Sequence, residues 1–213
     1  MILWIAGWPH NGSTLCRQIL KDSFGIESYS LYLESELETL FTGGVKFFER
    51  WKNNPVTYHK YILEHTDTYV VKTHELPIDN APTIFVVRDG RDAVCSLSNF
   101  WGIPIADAIA GLGCPFGTWS SYYYGWMPEK RPNTLVLKYE EMVTDPQMVV
   151  GKIAEFIGTK PTAPYVDDFE EKKKEFPYLF KDRIGGWKRR MNSEHLALFE
   201  NCHGKLMREL GYE

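Results

Sequence analysis

The chain begins with the stretch ILWIAGWPHNGSTLCRQIL, residues 2–20, and its pattern indicates the fold class. Ile2 to Ala6 is an unbroken apolar run that ends at glycine, as expected of a strand buried on both faces of a parallel sheet. Residues 7–12 form a loop with a glycine at each end. From Ser13 apolar residues recur at helical spacing until Gly25, which can end a helix. The stretch therefore predicts a strand, a loop and a helix in that order.

Further apolar runs alternate with helical patterns along the chain. Short β-rich runs lie at 69–71, 83–87 and 134–138, and a helix starting at Pro146 ends at Gly158. Strands separated by helical segments are typical of βαβ units. The sequence thus predicts an α/β fold in which helices flank a central parallel β-sheet.

Three segments lie outside these units. Residues 28–65 are expected to be largely helical, residues 98–128 are rich in Gly, Trp and Tyr, and residues 159–183 carry a charged run that suits a solvated helix. Asp92 is expected to cap the helix that follows the run at 83–87.

Length and charge limit the class of protein. The 213 residues suit a single domain spanning 1–213, and a net charge of −4 disfavours a nucleic acid or an anionic membrane as partner. No apolar stretch is long enough to span a bilayer. An anionic ligand must therefore be held by a local cluster of basic groups. Aromatic residues make up 15% of the chain, which is unusually many.

The four cysteines are scattered and match no metal-binding motif, so we expect no metal site and free thiols in a reducing compartment. The N-terminal apolar run has no preceding basic region and is too short for a signal sequence. We therefore expect a cytoplasmic protein.

The loop at 7–14 has the spacing GxxxxG-x-[ST], which in a strand–loop–helix unit gathers backbone N–H groups around an anion. Nucleotide kinases and NTPases carry lysine where this chain has Ser13, which argues against them. The loop alone leaves two interpretations open, a phosphate-binding loop or a tight turn before a helix.

Five motifs in order resemble those of the sulfotransferases that use 3′-phosphoadenosine 5′-phosphosulfate (PAPS). The run Trp8-Pro9-His10-Asn11-Gly12-Ser13-Thr14-Leu15 is similar to the family's Tyr-Pro-Lys-Ser-Gly-Thr-Thr-Trp. The other four matching segments are Lys72 to Pro77, Arg88 to Ser96, Tyr139 to Met142 and Arg183 to Lys188. The resemblance extends from residue 2 to about residue 190 and implies a P-loop NTPase-like sulfotransferase fold.

The resemblance also implies a site for PAPS and its product PAP. Arg88 and Ser96 would hold the 3′-phosphate, Arg183 with the amides near Gly185 would complete that site, and Tyr139 would contact the adenine. The residues implied in nucleotide binding are His10, Asn11, Gly12, Ser13, Thr14, Leu15, Arg88, Ser96, Tyr139, Arg183, Ile184 and Gly185.

His74 is the expected general base for the acceptor, because its ordinary pKa lies near neutral pH. Lys72 precedes it by two residues, so on an extended segment both side chains point to one face. Lys72 would then stabilise the transferring sulfuryl group while His74 takes the proton.

Two departures from the family pattern concern the loop. His10 replaces the family's lysine, and beside an anionic donor its ring should be driven toward the imidazolium. Leu15 replaces the tryptophan that stacks on adenine, so another aromatic residue must face the base. The family's dimer motif is also missing, which leaves the oligomeric state open.

Two alternatives to an active sulfotransferase remain. The first is a homologue that binds PAPS or PAP but is catalytically impaired, which the His10 substitution suggests. The second is a P-loop small-molecule kinase, for which Asp89 is the only nominal magnesium ligand.

The acceptor is expected to be a small molecule, and the sequence does not identify it. An aromatic pocket would suit a phenol, a planar metabolite or a stacked sugar. The candidate lining residues are Phe47, Phe48, Trp51, Phe100, Trp101, Tyr122, Tyr123 and Tyr124.

Overall fold

A parallel β-sheet of five strands forms the centre of the structure, a computed structural model that describes residues 1–32, 68–175 and 183–212. The strands are β1 (Ile2–Ala6), β2 (Ser28–Ser30), β3 (Tyr69–Thr73), β4 (Thr83–Val87) and β5 (Thr134–Lys138). Their order across the sheet is β2-β3-β1-β4-β5, and every pair is parallel. The predicted central parallel sheet is confirmed, whereas residues 28–30, expected to be helical, form β2.

Helices cover both faces of this sheet. They are α1 (Ser13–Phe24), α2 (Gly90–Trp101), α3 (Ile105–Ala110), α4 (Trp119–Trp126), α5 (Tyr139–Thr144), α6 (Pro146–Ile157), α7 (Phe169–Glu175), a 3₁₀ turn (Gly186–Arg189) and α8 (Ser193–Glu209). On one face Phe85 of β4 packs with residues of α2, α4 and α8, and on the other Ile84 packs with α1 and α6. Because both faces are covered, β1 and β4 are buried along their whole length, and Thr83 is their one polar residue. In the part of the chain that is described, the helices lack the combined length and apolarity that a bilayer span requires.

The sheet order brings several loops together. β1 lies between β3 and β4, so the segments that follow these three strands meet at one edge of the sheet. Those segments begin at Gly7, His74 and Arg88. In open parallel sheets, ligands bind beyond the carboxyl ends of the strands, where the strand order reverses. The functional site is therefore expected at this edge.

The helix ends agree with those predicted from the sequence, except at the start of α2. Gly25 ends α1 and Gly158 ends α6, each in the left-handed region with a φ of 66°. The cap of α2 is Asp89, whose side chain accepts from the Arg91 amide, so the prediction of Asp92 as cap is wrong. Asp92 lies in the first turn of the helix, where its carboxylate accepts from the amides of Gly185 and Trp187 instead.

Candidate functional site

Two glycines give the loop after β1 its shape. A Cβ on Gly7 would lie 2.7 Å from the Val86 carbonyl oxygen, and a Cβ on Gly12 would lie 2.4 Å from the Tyr139 ring. Gly12 also has a φ of 105°, which L side chains rarely adopt. Helix α1 begins after Gly12 without a side-chain cap, so its first turn presents backbone N–H groups to the loop. This arrangement binds anions.

His10 is the centre of this loop. Its φ of 65° is unusual for a residue with a side chain, and such strain is common at functional sites. Its Nδ1 lies 3.0 Å from Ser96 Oγ, and its ring lies 5.1 Å from that of Phe100. Burial, followed by the positive charges of Arg88 and Lys72, lowers the pKa of His10 to about 3. The protein's own groups thus favour a neutral ring, the opposite of the imidazolium expected from an anionic donor.

Arg88 joins the loop to the segment at 183. Its Nη1 donates to the His10 carbonyl at 3.2 Å, its Nη2 donates to the Arg183 carbonyl at 2.6 Å, and its guanidinium lies 4.2 Å from the centre of the Tyr139 ring. The side chain is buried, so a positive charge is held beneath the loop. Tyr139 therefore fixes Arg88 on one side and closes over Gly12 on the other.

His74 directly follows β3 and reaches the same loop. Its Nδ1 lies 2.7 Å from the Gly7 carbonyl oxygen, which can only accept, so Nδ1 carries the proton and Nε2 is the basic nitrogen. Its backbone N–H donates to the Tyr32 hydroxyl at 2.6 Å. The His74 ring stacks on Tyr32 at 5.0 Å and lies 5.4 Å from the ring of Phe116.

Lys72 supplies positive charge between the two histidines. It is buried on β3, and its charge acts on both His10 and His74. Burial, followed by the charge of Lys72, lowers the pKa of His74 to about 3, and the hydrogen bond to Gly7 acts in the opposite direction. Both imidazoles are therefore neutral at physiological pH, next to a fixed ammonium group.

A cavity that is open to solvent extends from the loop along α1. Its loop end is lined by His10, Gly12, Thr14 and Arg88. Its acidic end is lined by Gln18, Tyr165, Asp167, Asp168 and Phe169. Leu15, Tyr139 and Arg183 complete the walls between the two ends.

Side chains at the acidic end bind one another across the cavity. Gln18 Nε2 of α1 donates to Asp168 Oδ1 at 3.0 Å. Arg183 forms an ion pair with Asp167, and its guanidinium lies 4.2 Å from the centre of the Phe169 ring. The segment 165–169 is thereby held against α1 and against the strand-end loops.

The structure brings part of the predicted nucleotide site together. His10, Gly12, Thr14, Leu15 and Arg88 line the cavity, and so do Tyr139 and Arg183. Lys72 and His74 lie beside the loop without lining it.

Five predicted binding residues do not line this cavity. Asn11 donates to the Val86 carbonyl at 3.2 Å and so anchors the loop to β4. Ser13 is buried at the start of α1, and Ser96 binds His10. Ile184 is exposed, and the Gly185 amide donates to Asp92 at 2.6 Å. The positions of Ser96, Ile184 and Gly185 depend on the packing of α2 and the 183–187 segment, whereas Asn11 and Ser13 belong to the loop and to the start of α1.

The residues of the acidic end and Tyr32 were not predicted from the sequence. One signal was available, because Leu15 in place of an aromatic residue requires another ring at the cavity. Phe169 and Tyr165 supply rings there. Nothing in the local pattern distinguishes Tyr32 from other aromatic residues.

Of the candidate acceptor residues, Phe47, Phe48 and Trp51 lie outside the described part of the chain. Tyr122 and Tyr123 are buried against Phe85 and belong to the core. Their helix α4 faces the sheet, so the prediction that they line a pocket is wrong. Phe100 is exposed beside His10 and Phe116 lies beside His74, so these two rings flank the histidines.

The carboxylate of Asp89 already has partners within the protein. It accepts from the Arg91 amide and forms an ion pair with the Arg91 guanidinium at 2.7 Å. This arrangement does not support it as a magnesium ligand of a kinase. Across residues 1–32, 68–175 and 183–212, we found no group of three or more His, Cys, Asp or Glu side chains placed to hold a metal ion.

Comparison with known proteins identifies the family. The family described as "Sulfotransferase domain" matches residues 2–211, which is nearly the whole chain. The chain belongs to the sulfotransferase family. This sulfotransferase is 24% identical to human sulfotransferase 1E1 across 97% of its own length and 84% of the relative's. It is 41% identical to sulfotransferase 2A1 of Macaca fascicularis over a shorter region, 37% of this chain and 32% of that protein.

Solved structures show the same fold. Mouse sulfotransferase SULT7A1, crystallised with PAP, superposes with a TM-score of 0.69 at 17% identity and covers 97% of this chain and 84% of its own. A retinol dehydratase crystallised with androsterone and PAP superposes with a TM-score of 0.65 at 16% identity, covering 97% of this chain and 80% of its own. The expected sulfotransferase fold is confirmed.

Proposed function

We propose that this sulfotransferase transfers a sulfuryl group from PAPS to a hydroxyl or amine of a small-molecule acceptor. The observation that carries this proposal is the position of His74, whose ring is fixed by the Gly7 carbonyl beside an anion-binding loop and a buried lysine. We also propose that residues 1–213 form one sulfotransferase domain.

The donor set of the cavity fits an anionic nucleotide. The loop end offers backbone N–H groups, the Thr14 hydroxyl and the buried guanidinium of Arg88. The Nε of Arg183 is buried without a hydrogen-bond partner among the described residues. A phosphate between these two arginines would satisfy that donor. The bound PAPS would supply the sulfuryl group, and PAP would be the leaving group.

His74 acts as the general base. Because Nδ1–H donates to Gly7, Nε2 holds the lone pair that accepts the acceptor's proton. The acceptor oxygen or nitrogen then bonds to sulfur while the bond between sulfur and the phosphate oxygen breaks. Stacking on Tyr32 and contact with Phe116 hold the ring in this orientation.

Lys72 and His10 stabilise the charge that shifts toward the leaving phosphate. Lys72 is buried beside both histidines, and a charge in such an environment acts strongly at short range. The neutral His10 ring offers one N–H donor, and protonation by the donor's negative charge would add a second.

For the acceptor, Phe100 and Phe116 support a molecule with an apolar face. For the location, the cysteines support the cytoplasm, because all four are free and a reducing compartment keeps them so.

The direct test is transfer from radiolabelled PAPS to a mixed panel of phenols, planar hydroxyl compounds and sugars, with products identified by mass spectrometry. We expect labelled products from the intact protein. His74→Gln should form labelled product at a rate lower by a factor of about 100 or more. Failure of the intact protein to label any class of acceptor, despite binding PAP, would support the binding-only homologue.

A thermal-shift series distinguishes the proposed sulfotransferase from the kinase alternative. PAP at 100 times its dissociation constant should stabilise the protein by about 2.7 kcal/mol, and ATP with Mg²⁺ should not. The reverse order would contradict a PAPS site. Transfer that is unaffected by EDTA would agree with a metal-independent reaction.

A further inference from the structure

Tyr165 is a buried residue at the acidic end of the cavity. Only 4% of its surface is exposed, and its hydroxyl has no hydrogen-bond partner among the described residues. Buried polar groups are nearly always hydrogen-bonded, and one without a protein partner calls for an explanation. Because Tyr165 lines the cavity, a bound molecule can provide the missing partner.

The surroundings of the hydroxyl indicate what that partner is. Asp167, Asp168 and Arg183 act electrostatically on the Tyr165 hydroxyl, and all three line the cavity. Burial, followed by the charges of Asp167 and Asp168, raises the pKa of Tyr165, so the hydroxyl stays protonated and donates. Two carboxylates nearby would repel a phosphate. The expected partner is therefore a neutral acceptor.

The phosphates of a nucleotide are drawn to the opposite end. Arg88 and the N–H groups at the start of α1 lie at the loop end, and Arg88 also contacts the Arg183 carbonyl. With the phosphates there, the base extends along α1, past Leu15, to the acidic end. A purine base presents ring nitrogens that accept hydrogen bonds and are neutral.

We propose that the Tyr165 hydroxyl donates a hydrogen bond to a ring nitrogen of the nucleotide's base and so helps select that base. This proposal rests on the proposed PAPS site. The new element is the role of the Tyr165 hydroxyl, which no sequence motif indicates.

The test measures the binding of PAP and of its 1-deaza, 3-deaza and 7-deaza analogues by calorimetry, with wild-type protein and Tyr165→Phe. Wild type should bind one of the three analogues about 3- to 15-fold more weakly than PAP, the effect of one lost hydrogen bond. The affinity of Tyr165→Phe for PAP should be lower than that of wild type by the same factor. Tyr165→Phe should bind that analogue no more weakly than wild type does. Tyr165→Phe should also fold with undiminished thermal stability, because the hydroxyl has no partner to lose within the described protein.

Tyr123→Phe is the matched control. Tyr123 is also buried, but its hydroxyl donates to Glu129 at 2.5 Å and lies outside the cavity. We expect this control to lose thermal stability while binding PAP and all three analogues like wild type.

Other outcomes would overturn the proposal in distinguishable ways. Equal binding of PAP by Tyr165→Phe and wild type would overturn it while leaving sulfuryl transfer intact. If Tyr165→Phe bound PAP more weakly but wild type bound all three deaza analogues as tightly as PAP, the hydroxyl would be assigned to the sugar. That result would also overturn the proposal. Absence of PAP binding by wild type would overturn the nucleotide site as a whole.

Discussion

The two ends of the cavity hold a ligand by different physical means. At the loop end the contacts come from a short, glycine-shaped backbone, with Arg88 buried beneath it and Lys72 beside it. At the acidic end they come from side chains that bind one another, such as Gln18 with Asp168. The loop end thus has a geometry fixed by the sheet, whereas the acidic end depends on a surface segment held by a few pairs.

This difference separates chemistry from affinity. Groups fixed by strands are placed accurately enough for a reaction, because small displacements cost large factors in rate. A segment held by side-chain pairs can bind part of a nucleotide without affecting the reacting atoms. Substitutions at the loop end should therefore reduce turnover, and substitutions at the acidic end should reduce affinity.

The largest effect is expected for His74→Gln. Glutamine keeps a donor toward Gly7 but provides no basic nitrogen, so turnover should fall about 100- to 10,000-fold while the affinity for PAP stays the same. Single-turnover rates and calorimetry measure the two quantities. A parallel loss of PAP affinity would contradict the separation between the two ends.

His10 gives the next largest effect. His10→Ala should lower turnover about 10- to 100-fold, because it removes the donor next to the leaving phosphate. His10→Lys should keep or raise turnover, since it restores a permanent charge. Steady-state assays with saturating PAPS test both variants, and unchanged turnover in His10→Ala would rule out a role in catalysis.

At the acidic end, Phe169→Leu should weaken PAP binding about 5- to 50-fold through loss of a ring on which a base can stack. Turnover at saturating PAPS should stay within about twofold of wild type. Phe156→Leu, on α6 and outside the cavity, is the control for a shortened aromatic residue. A large fall in turnover for Phe169→Leu would show that the acidic end takes part in the chemistry.

The last effect concerns stability as a function of pH and leaves the ligand aside. The pKa values of His10 and His74 lie near 3 in the folded protein, below the ordinary value of 6.5. Below pH 6.5 the unfolded chain binds protons that the folded chain does not, so stability falls as pH drops from 6.5 toward 3. Each ring contributes at most about 1.4 kcal/mol per pH unit.

Urea unfolding at pH 7, 6 and 5 measures this dependence. We expect a shallower decline in His74→Gln than in wild type, and identical slopes would show that the ring is not buried in a neutral state. His203 adds to the decline in both proteins, because burial lowers its pKa as well.

The sequence predicted the sheet well because buried parallel strands leave a direct mark, a continuous apolar run with glycine at its end. β1 follows this pattern and the next loop begins at its glycine, Gly7, while β4 is a mostly apolar run followed by Arg88. The same pattern marks the loop and the strand ends. The sequence could therefore predict where Gly12, His74 and Arg88 lie.

The remaining parts depend on contacts between distant segments. Ser96 faces His10 and Gly185 faces Asp92 because of how α2 packs on the sheet, which no local pattern encodes. The neutral state favoured for His10 arises first from its burial and then from the charges of Arg88, which follows β4, and of Lys72 on β3. Tyr165 becomes notable only once burial removes the water that would otherwise satisfy its hydroxyl.

The position of β1 in the sheet also has a consequence during synthesis on the ribosome. β1 is translated before both of its partners in the sheet, β3 and β4, so its edge toward β4 stays unpaired until Thr83–Val87 has been translated. At about 5–20 residues per second this interval lasts on the order of 4–16 s. Throughout it one edge of the apolar run Ile2–Ala6 is open to other nascent chains, and chaperones that cover such edges would protect this strand.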